Sequence, residues 1–138
     1  RPAVARWIET HRLVGRVSMI GYAARLWGWM KRANVFVSPS LAEGSPNVVL
    51  EAMACGVPLV ASDIPEHREL VDESAAVLVI PTSAAHLAEA VEGVLRDPGP
   101  AAARARAARD RAALHGLQAV AERYHQMYRE ILASDEAC

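Results

Sequence analysis

The sequence has no excess of charge of one sign, few cysteines and no long apolar run. Its 138 residues carry 15 Lys and Arg against 16 Asp and Glu, a formal net charge of -1 at pH 7. This balance gives the chain no overall positive potential that would attract nucleic acid or an anionic membrane, so we expect no nucleic-acid partner. No apolar run approaches the roughly 18 residues of a membrane span. The opening residues RPAVARWIE also lack the cationic and then apolar order of a signal peptide.

Cysteine and histidine are too scattered to suggest a metal site. The two cysteines, Cys55 and Cys138, lie far apart without metal-ligand spacing, which predicts a reduced, cytoplasmic setting. No ligand spacing joins the histidines either, so we expect neither a metal nor a cofactor. The histidines are His11, His67, His86, His115 and His125.

The order of apolar runs predicts an α/β fold that ends in helices. Hydrophobic residues make up 52% and charged residues 22%, a balance suited to one soluble domain. Short β-branched runs alternate with helical patterns over residues 1–97, which indicates a Rossmann-like parallel sheet with flanking helices. Residues 98–138 are predicted to form an all-helical tail. The predicted strands are Val17–Ile20, Val35–Ser38, Pro58–Ser62 and Ala76–Ile80. The predicted helices of the first part are Ala24–Ala33, Asn47–Cys55, Glu66–Val71 and Ala84–Arg96, with Gly56 as the left-handed stop after Asn47–Cys55.

Two helical segments follow DPGP at residues 97–100. The first is rich in alanine and arginine, and we interpret its arginines as a solvated face and not as a nucleic-acid helix. The second carries an apolar stripe at three- and four-residue intervals, which predicts a helix docked on a core or an interface. The stripe consists of Leu117, Val120, Tyr124, Met127, Tyr128, Ile131 and Leu132.

The segment EGSPNVVLEAMACG, at residues 43–56, carries most of the chemical information. Its helix is apolar on every side apart from Glu51, so it predicts a buried helix. A carboxylate buried there costs several kcal/mol unless a cation, donors or a ligand hydroxyl compensate for it. Glu51 is therefore expected to need a partner.

The start of this helix has the features of an anion site. Ser45 is predicted as the N-cap and Pro46 as the first helical residue. The amides of Asn47 and Val48 would then point out of the positive end of the helix, while Gly44 allows close approach. Strand, loop and capped helix also occur in α/β proteins without any ligand. Two carboxylates beside a phosphate-ready helix start suit the hydroxyls of a phosphorylated polyol.

The string VFVSPSLAEGSPNVVLEAMACGVPLVASDIPEHRELV resembles the signature segment of retaining family-4 (group 1) glycosyltransferases of the GT-B type. Their E-x7-E motif matches Glu43 and Glu51. The resemblance extends over nearly the whole chain but over only part of the enzyme. Such enzymes have an N-terminal acceptor domain and a C-terminal donor domain, and the chain resembles about the last two thirds of the latter.

The resemblance assigns roles to the residues of the motif. Glu43 would contact the hydroxyls of the donor sugar near the reacting face, as the catalytic carboxylate, and Glu51 would hold the ribose hydroxyls. Ser45 and Pro46 stand where Phe-Gly is common, which bears on donor choice. The residues expected against the sugar and the diphosphate are Gly44, Ser45, Pro46, Asn47 and Val48.

The family's basic pair for the diphosphate has no counterpart in this chain. Arg16, Arg25 and Arg68 are available cations, but we do not expect any of them to replace that pair. The isolated chain is therefore expected to be inactive without the N-terminal acceptor domain. Association of two copies through a truncated sheet, and peripheral membrane association of the parent enzyme, are further expectations.

The first functional hypothesis is the donor-binding part of a retaining glycosyltransferase that uses a nucleotide-diphosphate sugar. A second hypothesis is a non-catalytic module for nucleotide-sugar binding or self-association. A third is a sugar-nucleotide epimerase, which the E-x7-E spacing disfavours.

Overall fold

A computed structural model describes residues 2–135 as an α/β domain followed by a long helix. The strands are β1 (Phe36–Ser38), β2 (Leu59–Ser62) and β3 (Val77–Val79). The helices are α1 (Pro2–Thr10), α2 (Leu26–Met30), α3 (Asn47–Cys55), α4 (Pro65–Arg68), α5 (Ala84–Arg96), α6 (Pro98–Ala113) and α7 (Leu117–Asp135).

The three strands form a parallel sheet in the order β1-β2-β3. Phe36 pairs with Leu59, and Val60 pairs with Val77. Parallel neighbours need a crossover connection, which α3 supplies between β1 and β2 and α4 supplies between β2 and β3. All three strands therefore deliver their carboxyl ends to one edge of the sheet. The predicted α/β class is confirmed, with each of these strands inside its predicted range.

The sheet is covered on both faces, because alternate side chains of a strand point to opposite sides. All four residues of β2 are buried. Leu59 and Ala61 pack in one cluster with residues of α3 and α6, whereas Val60 packs in another with Val94 of α5. The structure thus has helices α3 and α6 on one face and α5 on the other.

Helix α6 packs closely along α3 through small side chains. Its buried residues are alanines at alternating intervals of four and three: Ala101, Ala105, Ala108 and Ala112. An alanine stripe lets two helix backbones approach closely and costs little side-chain entropy. Gly56 ends α3 in the left-handed conformation with φ 69°, as predicted.

The amino-terminal third differs from the sequence prediction. The predicted strand Val17–Ile20 is absent from the described structure, where Val17 makes only an isolated bridge to Val14. A strand needs a neighbour to satisfy its backbone groups, and the described sheet provides no strand beside this segment. Helix α2 is shorter than predicted, and α1 was not predicted at all.

The surroundings of two helices differ from the simplest form of their predictions. Helix α3 is buried on one side only: Val49 and Met53 are buried, whereas Glu51 and Ala54 are exposed. Apolar residues occur on every side of α3, so its composition does not show which side packs against the sheet. Helix α7 does not pack on the described body of the domain, because every described side chain from residue 121 to residue 133 is exposed. Of the two predicted surroundings for its apolar stripe, core or interface, the interface stays a prediction.

Candidate donor site at the carboxyl edge of the sheet

The loop after β1 holds Glu43 in a fixed position. The Ser40 hydroxyl donates a hydrogen bond of 2.5 Å to Oε1 of Glu43, and the Glu43 side chain is half-buried. The loop spans residues 39–46 and connects the carboxyl end of β1 to the start of α3. A carboxylate steadied by one hydroxyl keeps further lone pairs for the hydroxyls of a ligand.

The start of α3 differs from the prediction by one residue. Pro46 is the N-cap, with φ -82° and ψ 52°, and Ser45 makes no capping hydrogen bond to the backbone. The Asn47 amide instead donates to the Ser45 carbonyl at 2.9 Å. This is the hydrogen bond of an inverse γ-turn centred on Pro46. The Ser45 hydroxyl donates to Oδ1 of Asn47 at 3.2 Å, so it is turned away from the helix amides.

This turn changes which amides are available to an anion. The Asn47 amide is occupied, and the amides of Val49 and Leu50 both donate to the Pro46 carbonyl, at 3.0 and 3.1 Å. Within residues 2–135, the Val48 amide has no hydrogen-bond partner. The helix start therefore offers one amide donor in this conformation, where the sequence predicted two.

Glu51 lies on the exposed side of α3, one turn after Asn47. Residues at i and i+4 share a helix face, so Glu51 lies on the same face of α3 as Asn47, which is at the start of the helix. Because the side chain is exposed, water solvates its charge and the expected internal partner is not required. A surface carboxylate in this place can accept hydrogen bonds from a ligand that lies along the helix start.

His67 is a buried residue of this edge that the sequence analysis did not single out. Its Nδ1 contacts the Ser62 carbonyl at 2.8 Å, and its Nε2 lies 3.4 Å from the Ser38 hydroxyl. A carbonyl only accepts hydrogen bonds, so we assign the proton to Nδ1 and let Ser38 donate to Nε2. The histidine thereby joins the carboxyl ends of β1 and β2. Its spacing from the buried Ile64 and Val71, at three and four residues, was the available signal.

Two buried polar atoms at the same edge have no partner among the described residues. They are the hydroxyl of Ser62, at the end of β2, and Oε2 of Glu66, in the first turn of α4. Buried polar atoms are normally hydrogen-bonded. This edge therefore has unused hydrogen-bonding capacity near the strand ends.

Arg68 is engaged with two carboxylates of its own chain. Its guanidinium pairs through Nε and Nη2 with Asp63, and Nη2 also reaches Glu73 at 3.0 Å. These hydrogen bonds raise the pKa of Arg68, and the Arg68 bond lowers the pKa of Asp63. Arg68 is thus paired with carboxylates of its own chain. Its side chain is exposed, as are those of Arg16 and Arg25.

Two cavities border the elements of this region. One of about 300 Å³ lies against the helix start and is lined by Ser45, Pro46, Asn47, Leu50, Glu69, Leu70 and His115. The other, of about 740 Å³, lies around α2 and the start of β1 and is mostly apolar. The smaller cavity combines polar groups with the helix start, and we therefore associate it with the candidate site.

Neither a metal site nor a membrane-spanning helix is found among the described residues. No group of three or more His, Cys, Asp or Glu residues there could hold a metal ion. Among the same residues, no helix has both the length and the hydropathy that a membrane crossing requires.

Comparisons with known proteins give consistent matches. Residues 1–97 match the family model described as glycosyl transferases group 1. Glycogen synthase from Mycobacterium tuberculosis (strain CDC 1551 / Oshkosh) is 39% identical over 104 residues, which cover 73% of this chain and 25% of that protein. D-inositol 3-phosphate glycosyltransferase from Arthrobacter sp. (strain FB24) is 37% identical over 108 residues, covering 75% of this chain and 26% of that protein.

Solved structures match over almost the whole chain. Sucrose-phosphate synthase from Thermosynechococcus elongatus aligns with a TM-score of 0.84 and 32% identity, covering 95% of this chain and 34% of that one. Anabaena HepE in complex with UDP-glucose aligns with a TM-score of 0.81 and 27% identity, covering 96% of this chain and 36% of that one. The chain spans about a quarter of these two curated relatives and about a third of these two solved chains.

Proposed function

The chain belongs to the group 1 glycosyltransferases, and from this premise we propose that it is the donor-binding part of a retaining enzyme that uses a nucleotide-diphosphate sugar. The observation that carries the proposal is the arrangement of Glu43, the start of α3 and Glu51 at the carboxyl edge of the sheet. In open α/β sheets, ligands bind outside the carboxyl ends of the strands.

Each part of this edge has a role in the proposal. The Val48 amide and the positive end of α3 bind the diphosphate and stabilise the charge that grows on it as it departs. Glu43, held by Ser40, accepts hydrogen bonds from the sugar and stabilises positive charge at the anomeric carbon. Glu51 accepts from the two ribose hydroxyls, because an ionised carboxylate is an acceptor only.

The diphosphate binds here with little help from cations. Arg68 is occupied by Asp63 and Glu73, and one free amide does not balance two phosphates. We therefore propose that the isolated chain is inactive and that the whole protein supplies the acceptor domain and further cations. A cytoplasmic location belongs to the same proposal.

The first donor to test is UDP-glucose, since Anabaena HepE was crystallised with it. We would titrate the chain with UDP, GDP and their sugar conjugates by calorimetry, beside Glu51→Gln and the control Glu89→Gln, which changes an exposed carboxylate of α5. Loss of binding in Glu51→Gln alone would support the site. Equal binding by all three proteins would contradict the role of Glu51.

In the whole protein, Glu51→Gln is expected to lower kcat/KM by about tenfold to a hundredfold, since a hydrogen bond to a charged group is worth about 1.5–3 kcal/mol. Unaltered turnover would contradict the assignment. Product analysis separates the reaction classes: free nucleoside diphosphate indicates transfer or hydrolysis, whereas an isomerised nucleotide sugar indicates an epimerase.

A further inference from the structure

The cavity of about 300 Å³ beside the start of α3 has polar groups on its walls and an apolar floor. The polar groups belong to Asn47, to Glu69 directly after α4, and to His115 in the turn between α6 and α7. Leu50 and Leu70 form the floor, and both pack against the core cluster around α3. A cavity of this size lies at the lower end of the range for small-molecule sites, which suits one substituent of a larger ligand.

The cavity adjoins the place of the donor sugar in the proposed function. It begins at Ser45, two residues after Glu43, the carboxylate that accepts hydrogen bonds from the sugar in that proposal. Ser45 is small, and its hydroxyl is bonded to Oδ1 of Asn47 at 3.2 Å. A sugar held at Glu43 can therefore direct a substituent past Ser45 into the cavity.

We propose, resting on the proposed function, that this cavity receives the N-acyl group of a 2-acetamido donor sugar. Oδ1 of Asn47 is used by Ser45, so the Nδ2 donors of Asn47 are free within the described chain and bind the acyl carbonyl. The Glu69 carboxylate has no hydrogen-bond or ion-pair partner within residues 2–135. As an acceptor only, it takes the N–H of the acyl amide. The acyl methyl group then packs on the leucine floor.

Other sugar substituents leave part of this lining unused. A hydroxyl group does not cover the apolar floor. An ammonium group satisfies Glu69 but gives the Nδ2 donors of Asn47 no acceptor. A carboxylate group is repelled by the charge of Glu69. The N-acyl group is the one of these four that meets the donor, the acceptor and the apolar surface together.

The walls of the cavity are ordered by backbone and side-chain hydrogen bonds. The Glu69 amide donates to the Pro65 carbonyl at 3.1 Å, and the Leu70 amide donates to the carbonyl of the fully buried His67 at 3.0 Å. The bond from Ser45 orients the Asn47 carboxamide. Groups that are ordered before binding lose less entropy when the ligand arrives.

Calorimetry of the 138-residue chain with UDP, UDP-glucose and UDP-N-acetylglucosamine tests the inference. The two conjugates differ only at carbon 2 of the sugar, so the ratio of their dissociation constants reports the N-acyl group. The wild-type chain should bind the acetamido sugar about tenfold more tightly, because that sugar gains two hydrogen bonds and an apolar contact.

Three variants locate the preference. Glu69→Ala removes the acceptor and should lower the ratio to about threefold. Ser45→Phe fills the cavity and should abolish the preference. Glu89→Ala, which removes an exposed carboxylate of α5, is the matched control and should keep the wild-type ratio. Each ratio is measured within one protein, so a general loss of affinity does not alter it, and circular dichroism checks the helix content of each variant.

Two results would overturn the inference while leaving the donor site intact. One is binding of UDP by the wild-type chain together with equal binding of the two conjugates. The other is a preference for the acetamido sugar that survives in both Glu69→Ala and Ser45→Phe. Absence of binding by UDP and GDP alike would contradict the donor site itself, and with it the inference that rests on that site.

Discussion

Replacing His67 with leucine would test how the ligand edge of the sheet is held together. The imidazole is completely buried and links the ends of β1 and β2 through the Ser62 carbonyl and the Ser38 hydroxyl. Leucine is apolar and of similar size, so the substitution removes both hydrogen bonds without leaving a large hole. The Ser62 carbonyl would then lose its imidazole donor but keep the Ile64 amide, which donates to it at 3.0 Å.

The expected loss of stability follows from these two contacts. Because the Ser62 carbonyl keeps a second donor, the loss is that of a typical intramolecular hydrogen bond, about 0.5–1.5 kcal/mol. The 2.8 Å contact to Ser62 should account for most of the loss, because the 3.4 Å contact to Ser38 is long for a hydrogen bond. We therefore expect His67→Leu to lower the free energy of unfolding by about 1 kcal/mol, or Tm by roughly 3–5 °C for a chain of this size.

Urea unfolding of the dilute protein, followed by circular dichroism, measures this loss. His125→Leu is the matched control, since His125 is exposed on α7 and its replacement should change stability by less than about 0.5 kcal/mol. If His67→Leu were as stable as that control, the imidazole would not be the link between the two strand ends.

Two further predictions concern the core and an ion pair. Met53 is fully buried between α3 and its neighbours, so Met53→Ala should cost about 2–5 kcal/mol in urea unfolding; a cost close to that of the exposed control Glu51→Ala would refute the packing. The hydrogen bond from Arg111 holds the pKa of Asp72 below its usual range, so its contribution to stability is complete above the unfolded pKa of about 3.9 and is lost as the pH falls through the lower folded value. The difference in Tm between wild type and Asp72→Asn should therefore shrink in this acid range, and a constant difference from pH 7 downward would show that the pair is not formed.

The sequence predicted elements best where local chemistry and tertiary packing agree. Asn47–Cys55 and Ala84–Arg96 have the predicted bounds, because a left-handed glycine ends the first and a serine caps the second. Ser83 accepts the His86 amide at 3.1 Å. The strands β1, β2 and β3 fall within their predicted runs since their β-branched residues are covered on both faces.

Predictions failed where the outcome depends on neighbours that the sequence does not identify. Val17–Ile20 has the pattern of a strand but no adjacent strand in the described sheet. Ser45 has a side chain suited to an N-cap, yet the turn centred on Pro46 makes Pro46 the N-cap residue. The apolar neighbours of Glu51 predict a buried helix but do not show which side of it the sheet covers. The role of His67 depends on partners 5 and 29 residues away, which local sequence does not identify.

The alanine stripe of α6 has a consequence for where the domain can be divided. The match to the family ends at residue 97, one residue before α6 begins. Yet Ala108 and Ala112 close the cluster that holds Val49 and Met53 of α3. A chain cut at residue 97 would expose those side chains and release the helix that carries Glu51. The unit that folds is therefore longer than the unit that the family model outlines, and expression boundaries should follow the former.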